Sequence, residues 1–179
     1  MPPPRILVTG PPGVGKTTLV RRVIALLPDA RITGFTTEEI RGRGGRTGFR
    51  IVTLDGRTER LATAGGAVGP RVGRYAVHLA ALEALCEEAL EPRPGVDLVA
   101  VDEIGKMECL SPAFVRAARR ALSGPLPVLG SVALRGGGFI AEAKRLPGDE
   151  VIPLSRENRD RLPGEIAARL STSGAVGDR

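Results

Sequence analysis

The chain has 179 residues, 42% of them hydrophobic, a composition typical of one globular domain with a substantial core. No stretch approaches the roughly 18 apolar residues needed to cross a membrane, and the opening "MPPPRILVTG" lacks the pattern of a signal peptide. These features exclude a membrane-spanning chain. They predict a cytoplasmic protein folded as a single domain over residues 1–179, with a flexible tail from about residue 172.

The net charge is +6 at pH 7, and the excess arises in residues 1–50, which carry nine basic and three acidic side chains. A binding site for phosphates explains this excess as well as RNA binding does. Aromatic residues make up only 3% of the chain, so the stacking platforms that bind single strands are not visible. Nucleic acid is therefore the less favoured partner.

Apolar runs separated by turn residues predict strands and helices that alternate along the chain. The first half of the chain is predicted to contain strand 5–9, helix 17–27, and strands 34–40, 48–54 and 57–62 in a β-meander with an arginine-rich loop at 41–46. The second half is predicted to contain helix 76–91, strand 96–102, helix 111–122, strand 126–133, helix 138–145, strand 150–154 and helix 163–170. This order predicts a three-layer α/β fold, with helices on both faces of a mostly parallel sheet and the meander at one edge.

The strongest motif is "GPPGVGKT", in which Gly10, Gly15, Lys16 and Thr17 match the Walker A pattern G-x-x-x-x-G-K-[ST]. The glycines let the backbone N–H groups face inward, and the following helix adds its positive end, which creates an anion cradle. Lys16 would contact the β- and γ-phosphates, and the Thr17 hydroxyl would bind Mg²⁺. The predicted strand before the motif and helix after it provide the required context.

Two neighbouring carboxylates, Asp102 and Glu103, follow the apolar run "DLVAV". In P-loop proteins an aspartate at the end of such a strand holds the magnesium shell, which assigns Asp102 as a Walker B residue. A carboxylate one position later can orient or deprotonate a water, so Glu103 favours hydrolysis. The alternatives are a carboxylate that caps the next turn for Asp102 and a solvated loop residue for Glu103.

The sequence resembles the small P-loop nucleoside-triphosphatases that include the human cancer-related NTPase and its bacterial and archaeal relatives. The resemblance covers nearly the whole chain through "GPPGVGKTTL", "GFTTEEIR", "RTGFRIVTLDG", "GPRVGRY", "VDEIGKME", "PVLGS" and "ENRDRLP". It implies a RecA-like P-loop domain and Mg²⁺-dependent hydrolysis of ATP, GTP and other nucleoside triphosphates, with broad base tolerance. The residues expected at the nucleotide are Gly10, Pro11, Pro12, Gly13, Val14, Gly15, Lys16, Thr17, Thr18, Asp102, Glu103, Ile104, Gly105, Asn158 and Arg159.

Further candidates each have a structural alternative. Arg71 and Arg74 could stabilise charge on the transferred phosphoryl group, as an arginine finger does, or could be ordinary surface residues. Ser131 could sense the γ-phosphate or simply end its strand. Asn158 and Arg159 could contact the base, or their segment could form a helix start with Asn or Asp as N-cap.

Other pairs remain open as well. Lys106 and Glu108 could pair with each other or shape the γ-phosphate pocket. Arg41, Arg43 and Arg46 are expected in a solvated loop, although the resemblance at Glu39 and Arg41 suggests that this hairpin borders the site.

Three functions remain. Hydrolysis of nucleoside triphosphates by a monomer or weak oligomer is favoured by Glu103. A nucleotide or small-molecule kinase is the main alternative, because nucleotide kinases have a similar build. The third is a nucleotide-dependent switch that binds RNA or a protein through the basic hairpin 41–50.

Overall fold

The computed structural model describes residues 2–146 and 148–172, and the predicted tail from residue 173 onward lies outside these residues. The strands are β1 (Arg5–Gly10), β2 (Ile32–Gly42), β3 (Gly45–Thr53), β4 (Thr58–Ala64), β5 (Arg71–Val72), β6 (Tyr75–Val77), β7 (Leu98–Ile104), β8 (Val128–Ala133) and β9 (Asp149–Pro153). The helices are α1 (Lys16–Ala25), α2 (Leu79–Ala89), α3 (Pro112–Ser123), α4 (Phe139–Ala143) and α5 (Leu162–Thr172), with a short 3₁₀ helix at Glu108–Leu110.

Within the described residues the strands form one sheet in the order β5-β6-β4-β3-β2-β7-β8-β1-β9. Residues 32–35 of β2 and strands β7, β8, β1 and β9 run parallel, and we call them the parallel core. Residues 36–42 of β2 and strands β3, β4, β6 and β5 pair antiparallel, and we call them the meander. The predicted α/β fold with an antiparallel meander at one edge is confirmed.

The parallel core is covered on both faces, as its near-continuous apolar strands require. Along β1, Ile6 and Val8 pack on one face with side chains of α1 and α5, whereas Leu7 packs on the other face with α2, α3 and α4. This alternation leaves the ends of the strands as the place where polar side chains can be exposed. No helix among the described residues has the length and hydropathy to cross a bilayer.

Two segments differ from the predicted elements because their strands pair further than local sequence indicates. The prediction of an arginine-rich loop at 41–46 is wrong. Strand β2 extends to Gly42 and β3 begins at Gly45, which leaves only residues 43 and 44 as a turn. Gly45 has φ +110°, a conformation that favours glycine and permits this tight connection. The helix expected from residue 76 begins at Leu79, because residues 75–77 pair with β4 as strand β6.

Candidate functional site

The P-loop, residues 10–17, follows β1 and leads directly into α1. Gly13 and Gly15 have φ +78° and +110°, backbone conformations that an L side chain would strain. Gly15 is the N-cap of α1, where no side chain accepts a hydrogen bond from the helix and no acidic residue lies in the first turn. The first N–H groups of α1 are thus left for an anion, and the helix dipole favours its binding.

Lys16 folds back over the P-loop. Its side chain is buried, and Nζ donates hydrogen bonds to the carbonyl oxygens of Gly10 at 3.0 Å and Pro11 at 3.4 Å. Neutral carbonyls do not balance the charge of an ammonium group, so an incoming phosphate would be a stronger partner. The loop backbone is open to solvent at Pro11, Pro12 and Gly13, whereas Val14 packs into the core beside α5.

Asp102 is fully buried near the carboxyl end of β7, which continues to Ile104. Ser131 Oγ donates a hydrogen bond to Oδ1 at 2.5 Å, whereas Oδ2 has no hydrogen-bond partner. Burial raises the pKa of Asp102, and the Ser131 hydrogen bond and the nearby Thr17 hydroxyl oppose that rise. A buried carboxylate oxygen that accepts no well-formed hydrogen bond, with the Thr17 hydroxyl and the Thr37 backbone N–H nearby, suits a hard divalent cation such as Mg²⁺.

Glu103 lies beside Asp102 and is only partly exposed, and the peptide bond between the two residues is cis. Burial raises the pKa of Glu103, the positive charge of Lys16 lowers it, and the negative charge of Asp102 raises it further. The raised pKa makes the carboxylate a better proton acceptor than an exposed glutamate. Since Lys16 affects its titration, Glu103 lies within electrostatic reach of the phosphate-binding lysine.

The fold explains why these side chains meet. Strands β1, β7 and β8 are neighbours and run parallel, so their carboxyl ends lie at one edge of the sheet. Gly10, Asp102 and Ser131 all lie at or near those ends, which is where open α/β sheets bind ligands. The fully buried Ser131 hydroxyl is directed at Asp102, and a direct contact with the γ-phosphate stays a prediction.

Arg71 and Arg74 are not brought to the P-loop in this structure. Arg71 Nη2 donates to the carbonyl of Gly66 at 2.6 Å, and Arg74 Nη2 donates to the carbonyl of Arg46 at 2.7 Å and the hydroxyl of Tyr75 at 3.1 Å. Strands β6, β4, β3 and β2 lie between β5 and β7. A role of Arg71 or Arg74 as an arginine finger stays a prediction, and it would require the meander to move toward the P-loop.

Arginines of the basic hairpin, residues 41–50, form ion pairs instead of being surrounded only by solvent. Glu39 accepts hydrogen bonds from Arg41 at 2.6 Å and from Arg46 at 2.7 Å, and Arg46 also donates to the hydroxyl of Tyr75 at 2.8 Å. Arg43, at the turn, is exposed. The single carboxylate of Glu39 therefore offsets part of the charge of Arg41 and Arg46.

Sequence reasoning missed a second network, which joins α1 to the meander. Arg21 donates to Glu38 at 2.7 Å and to the Thr36 hydroxyl at 3.2 Å, and Arg50 donates to the other oxygen of Glu38 at 2.6 Å. The positive charge of Arg21 also lowers the pKa of Asp102. The available signal was the spacing, because Arg21 follows Thr17 by four residues and so lies on the same helix face.

The segment after β9 lies against the start of the P-loop, since Leu154 N donates to the carbonyl of Thr9 at 2.7 Å and the Leu154 carbonyl would lie 2.9 Å from a Cβ on Gly10. Asn158 Oδ1 accepts from Ser155 N at 2.8 Å and Nδ2 donates to the carbonyl of Pro153 at 2.9 Å, so its amide holds the turn before α5. Arg159 is exposed. A contact of either side chain with a base stays a prediction.

The remaining candidates near β7 divide by burial. Ile104 packs its side chain into the core, so only its backbone and that of Gly105 could reach a nucleotide. Lys106 is exposed, and it forms no ion pair with Glu108, which is 6% exposed. Of the two interpretations left open for these residues, the pairing of Lys106 with Glu108 is wrong.

Comparison with known proteins agrees with this geometry. A family model described as "NTPase" matches residues 5–167. The chain belongs to this NTPase family. It is 42% identical over 163 residues to the nucleoside-triphosphatase THEP1 of Thermotoga petrophila, with 90% of each chain covered. It is 36% identical over 184 residues to the cancer-related nucleoside-triphosphatase homolog of Bos taurus, which covers 94% of this chain and 97% of the relative.

Two solved structures of NTPase family members share the fold. The crystal structure of THEP1 from the hyperthermophile Aquifex aeolicus has a TM-score of 0.84 at 35% identity and covers 93% of this chain and 98% of its own. The solution structure of a human cancer-related nucleoside triphosphatase has a TM-score of 0.80 at 36% identity, with 95% and 98% covered. The match over nearly the whole of each chain includes the meander as well as the parallel core.

Proposed function

We propose that this member of the NTPase family is a Mg²⁺-dependent nucleoside-triphosphatase that hydrolyses ATP, GTP and other nucleoside triphosphates to the diphosphate and phosphate. The observation that carries the proposal is the position of Glu103, beside the buried Asp102 and within electrostatic reach of Lys16. A carboxylate with a raised pKa next to the metal ligand of a P-loop suits a base that acts on water.

Thr17 and Asp102 would hold the metal. The unpartnered Asp102 Oδ2 and the adjacent Thr17 hydroxyl fit an oxygen-liganded cation, and the Ser131 hydrogen bond would fix the orientation of the carboxylate. When bound, Mg²⁺ neutralises charge on the β- and γ-phosphate oxygens. Within residues 2–146 and 148–172 no three acidic, histidine or cysteine side chains form a metal cage.

The reaction is an in-line displacement at the γ-phosphorus. Glu103 accepts a proton from a water whose oxygen forms the new bond to phosphorus, while the bond from phosphorus to the β–γ bridging oxygen breaks and the diphosphate leaves. Lys16 exchanges its carbonyl partners for phosphate oxygens, and the backbone N–H groups of residues 13–17 offset the developing charge. The residues proposed to act on the reacting groups are thus Lys16 and Glu103.

Turnover is expected to be slow for a P-loop enzyme. Arg71 and Arg74 are held in the meander, and arginine fingers contribute about 10³–10⁵ in rate where they are present. Broad base tolerance is proposed because both polar atoms of the Asn158 amide are already hydrogen-bonded within its own turn. Asn158 therefore offers no hydrogen-bonding group that would select one base over another.

The test is phosphate release from ATP and GTP with Mg²⁺ or with EDTA. Wild type, Lys16→Ala and Glu103→Gln are compared, each with and without a panel of nucleoside monophosphates. We expect Mg²⁺-dependent release that the monophosphates do not alter, and losses of at least about a hundredfold in kcat for Glu103→Gln, typical of a removed general base. Lys144→Ala is the matched control and should retain wild-type activity, because Lys144 is a partly exposed lysine outside the P-loop whose Nζ donates to the carbonyl of Leu134.

Two outcomes would contradict the proposal. Wild-type hydrolysis by Glu103→Gln would remove the proposed base. Loss of ATP that depends on an added monophosphate, without release of free phosphate, would show a kinase and make Glu103 a neighbour without a role in water activation.

A further inference from the structure

A third carboxyl group, that of Glu108, lies close to Asp102 and Glu103 and has no part in the mechanism above. Glu108 is the first residue of the 3₁₀ helix that follows β7 and is 6% exposed. Among the described residues no lysine or arginine forms an ion pair with it, and Lys106, two positions earlier, is exposed. A glutamate that is buried without a cation is rare, because desolvation of its charge is costly.

Gly105 shows how close Glu108 comes to Glu103. A Cβ built on Gly105 would lie 2.8 Å from Glu108 Oε2, and 3.4 Å and 3.5 Å from Cγ and Cδ of Glu103. Since a Cβ points in a single direction, both carboxyl groups approach the same side of Gly105. Any larger residue at this position would separate them, so the glycine permits two acidic side chains to share one small space.

Two neighbouring carboxylates in a buried place cannot both stay charged without a large energetic penalty. Burial and the charge of Glu103 raise the pKa of Glu108 to about 8, and the charge of Asp102 adds to the rise. Glu103, in contrast, has Lys16 as a favourable partner. Burial and the lack of an ion pair among the described residues favour the neutral form of the Glu108 carboxyl group, which can donate a hydrogen bond.

We propose that Glu108 is a positioning residue for hydrolysis: as a neutral acid beside Gly105, it donates a hydrogen bond toward the Glu103 carboxylate and keeps it aimed at the attacking water. This inference rests on the proposed role of Glu103 as the base. Glu108 does not itself touch the substrate, so its removal should slow the chemical step and leave nucleotide binding unchanged.

The experiment compares Glu108→Gln with Glu108→Met by kcat, KM and melting temperature with Mg²⁺ and ATP. Gln retains the shape and a hydrogen-bond donor, whereas Met has a similar length and no donor. We expect Glu108→Gln to keep kcat within about threefold of wild type, and Glu108→Met to lose about tenfold or more, the effect of one hydrogen bond to a charged group. KM should stay within about twofold for both variants, because a positioning residue acts on the transition state only.

The melting temperature separates positioning from folding. Replacing a buried, unpaired carboxyl by an apolar group of similar size should leave stability equal or higher, so Glu108→Met should be slower yet no less stable. Glu108→Ala serves as a second truncation with the same expected loss of kcat. Glu142→Gln, which alters an exposed carboxylate paired with Arg119, is the matched control for the loss of a glutamate charge.

A double variant distinguishes failure of this inference from failure of the proposed function. If Glu108 acts through Glu103, then Glu103→Gln/Glu108→Met should be no slower than Glu103→Gln alone. Full activity of Glu108→Met would overturn the positioning role, and so would equal losses of kcat in Glu108→Gln and Glu108→Met. In either case, loss of activity in Glu103→Gln would still support Glu103 as the base. Full activity of Glu103→Gln would overturn the proposed mechanism itself.

Discussion

The parallel core and the meander use charged side chains in opposite ways. At the carboxyl edge of the parallel core, Lys16, Asp102 and Glu108 are buried, and none forms an ion pair. In the meander, Glu38 is partly exposed and Glu39 is exposed, and each binds two arginines. Both regions belong to one continuous sheet, so the difference reflects what each region does rather than a difference in architecture.

The contrast helps to separate function from stability. Exposed ion pairs contribute about 0–1 kcal/mol each, so the arginines of the meander mainly hold its strands in register and keep its edge soluble. Buried carboxyls without a cation reduce stability, and they persist where a ligand or a reaction needs them. The carboxyl edge of the parallel core is therefore the end of the sheet at which we propose the reaction.

The largest expected effect is on the junction between the two regions, at Gly34 in β2. Its φ is +125°, and a Cβ there would lie 1.9 Å from the carbonyl oxygen of Ala100 in β7. Gly34→Ala should therefore destabilise the protein by about 3–5 kcal/mol, because the backbones of β2 and β7 must separate. Urea unfolding measures this loss.

Gly44→Ala, in the turn of the meander, is the matched control for that substitution. Nothing lies within 4 Å of a Cβ at Gly44, so stability should change by less than about 0.5 kcal/mol. A large loss at Gly44 with a small one at Gly34 would show that the fold depends on the meander turn rather than on the close approach of β2 and β7.

A smaller, pH-dependent effect is expected at Glu108. Its pKa rises from 4.5 to about 8 on folding, so between these values the folded state binds more protons than the unfolded state and stability falls as pH increases. Relative to Glu108→Gln, the free energy of unfolding of the wild type should thus fall by on the order of 3 kcal/mol between pH 5 and pH 8. Asp102 and Glu103 are present in both proteins, and Cys109, with a pKa of about 12, stays neutral in this range.

Urea unfolding at several pH values in EDTA measures that difference. A constant difference between wild type and Glu108→Gln from pH 5 to pH 8 would mean that Glu108 has an ordinary pKa, and the contrast between buried and exposed carboxyls would lose its clearest example.

The two regions also differed in how far the sequence predicted them. The P-loop and the strand that carries Asp102 depend on local patterns, a fixed glycine spacing and an apolar run. The strand, loop and helix around the P-loop were found where expected, whereas the strand predicted at 96–102 lies two residues further along the chain, at Leu98–Ile104. The burial of Glu108 could not be predicted, because it depends on how the 3₁₀ helix folds back beside Gly105. Its position six residues after Asp102 is compatible with a solvated loop as well.

The meander was harder to predict for the same reason. Its existence follows from alternating residues and turns, but its pairing depends on contacts between strands distant in sequence. Arg74 is directed by the pairing of Tyr75 with Ala64, which places its guanidinium against the carbonyl of Arg46 rather than at the P-loop. No local pattern around Arg71 and Arg74 specifies that outcome.

The smallest expected effect is the removal of an ion-pair acceptor from the meander by Glu39→Gln. Hydrogen bonds from Arg46 and Arg41 lower the pKa of Glu39, so its contribution to stability is present above about pH 4.5 and disappears as pH falls through the lowered value. Glu39 is 37% exposed, so the loss at pH 7 should be at most about 1 kcal/mol and should shrink in 1 M NaCl. A decrease of more than about 2 kcal/mol in the free energy of unfolding that persists in 1 M NaCl would show that the meander contains a tightly coupled network. Strongly interacting charges would then no longer distinguish the carboxyl edge of the parallel core from the meander.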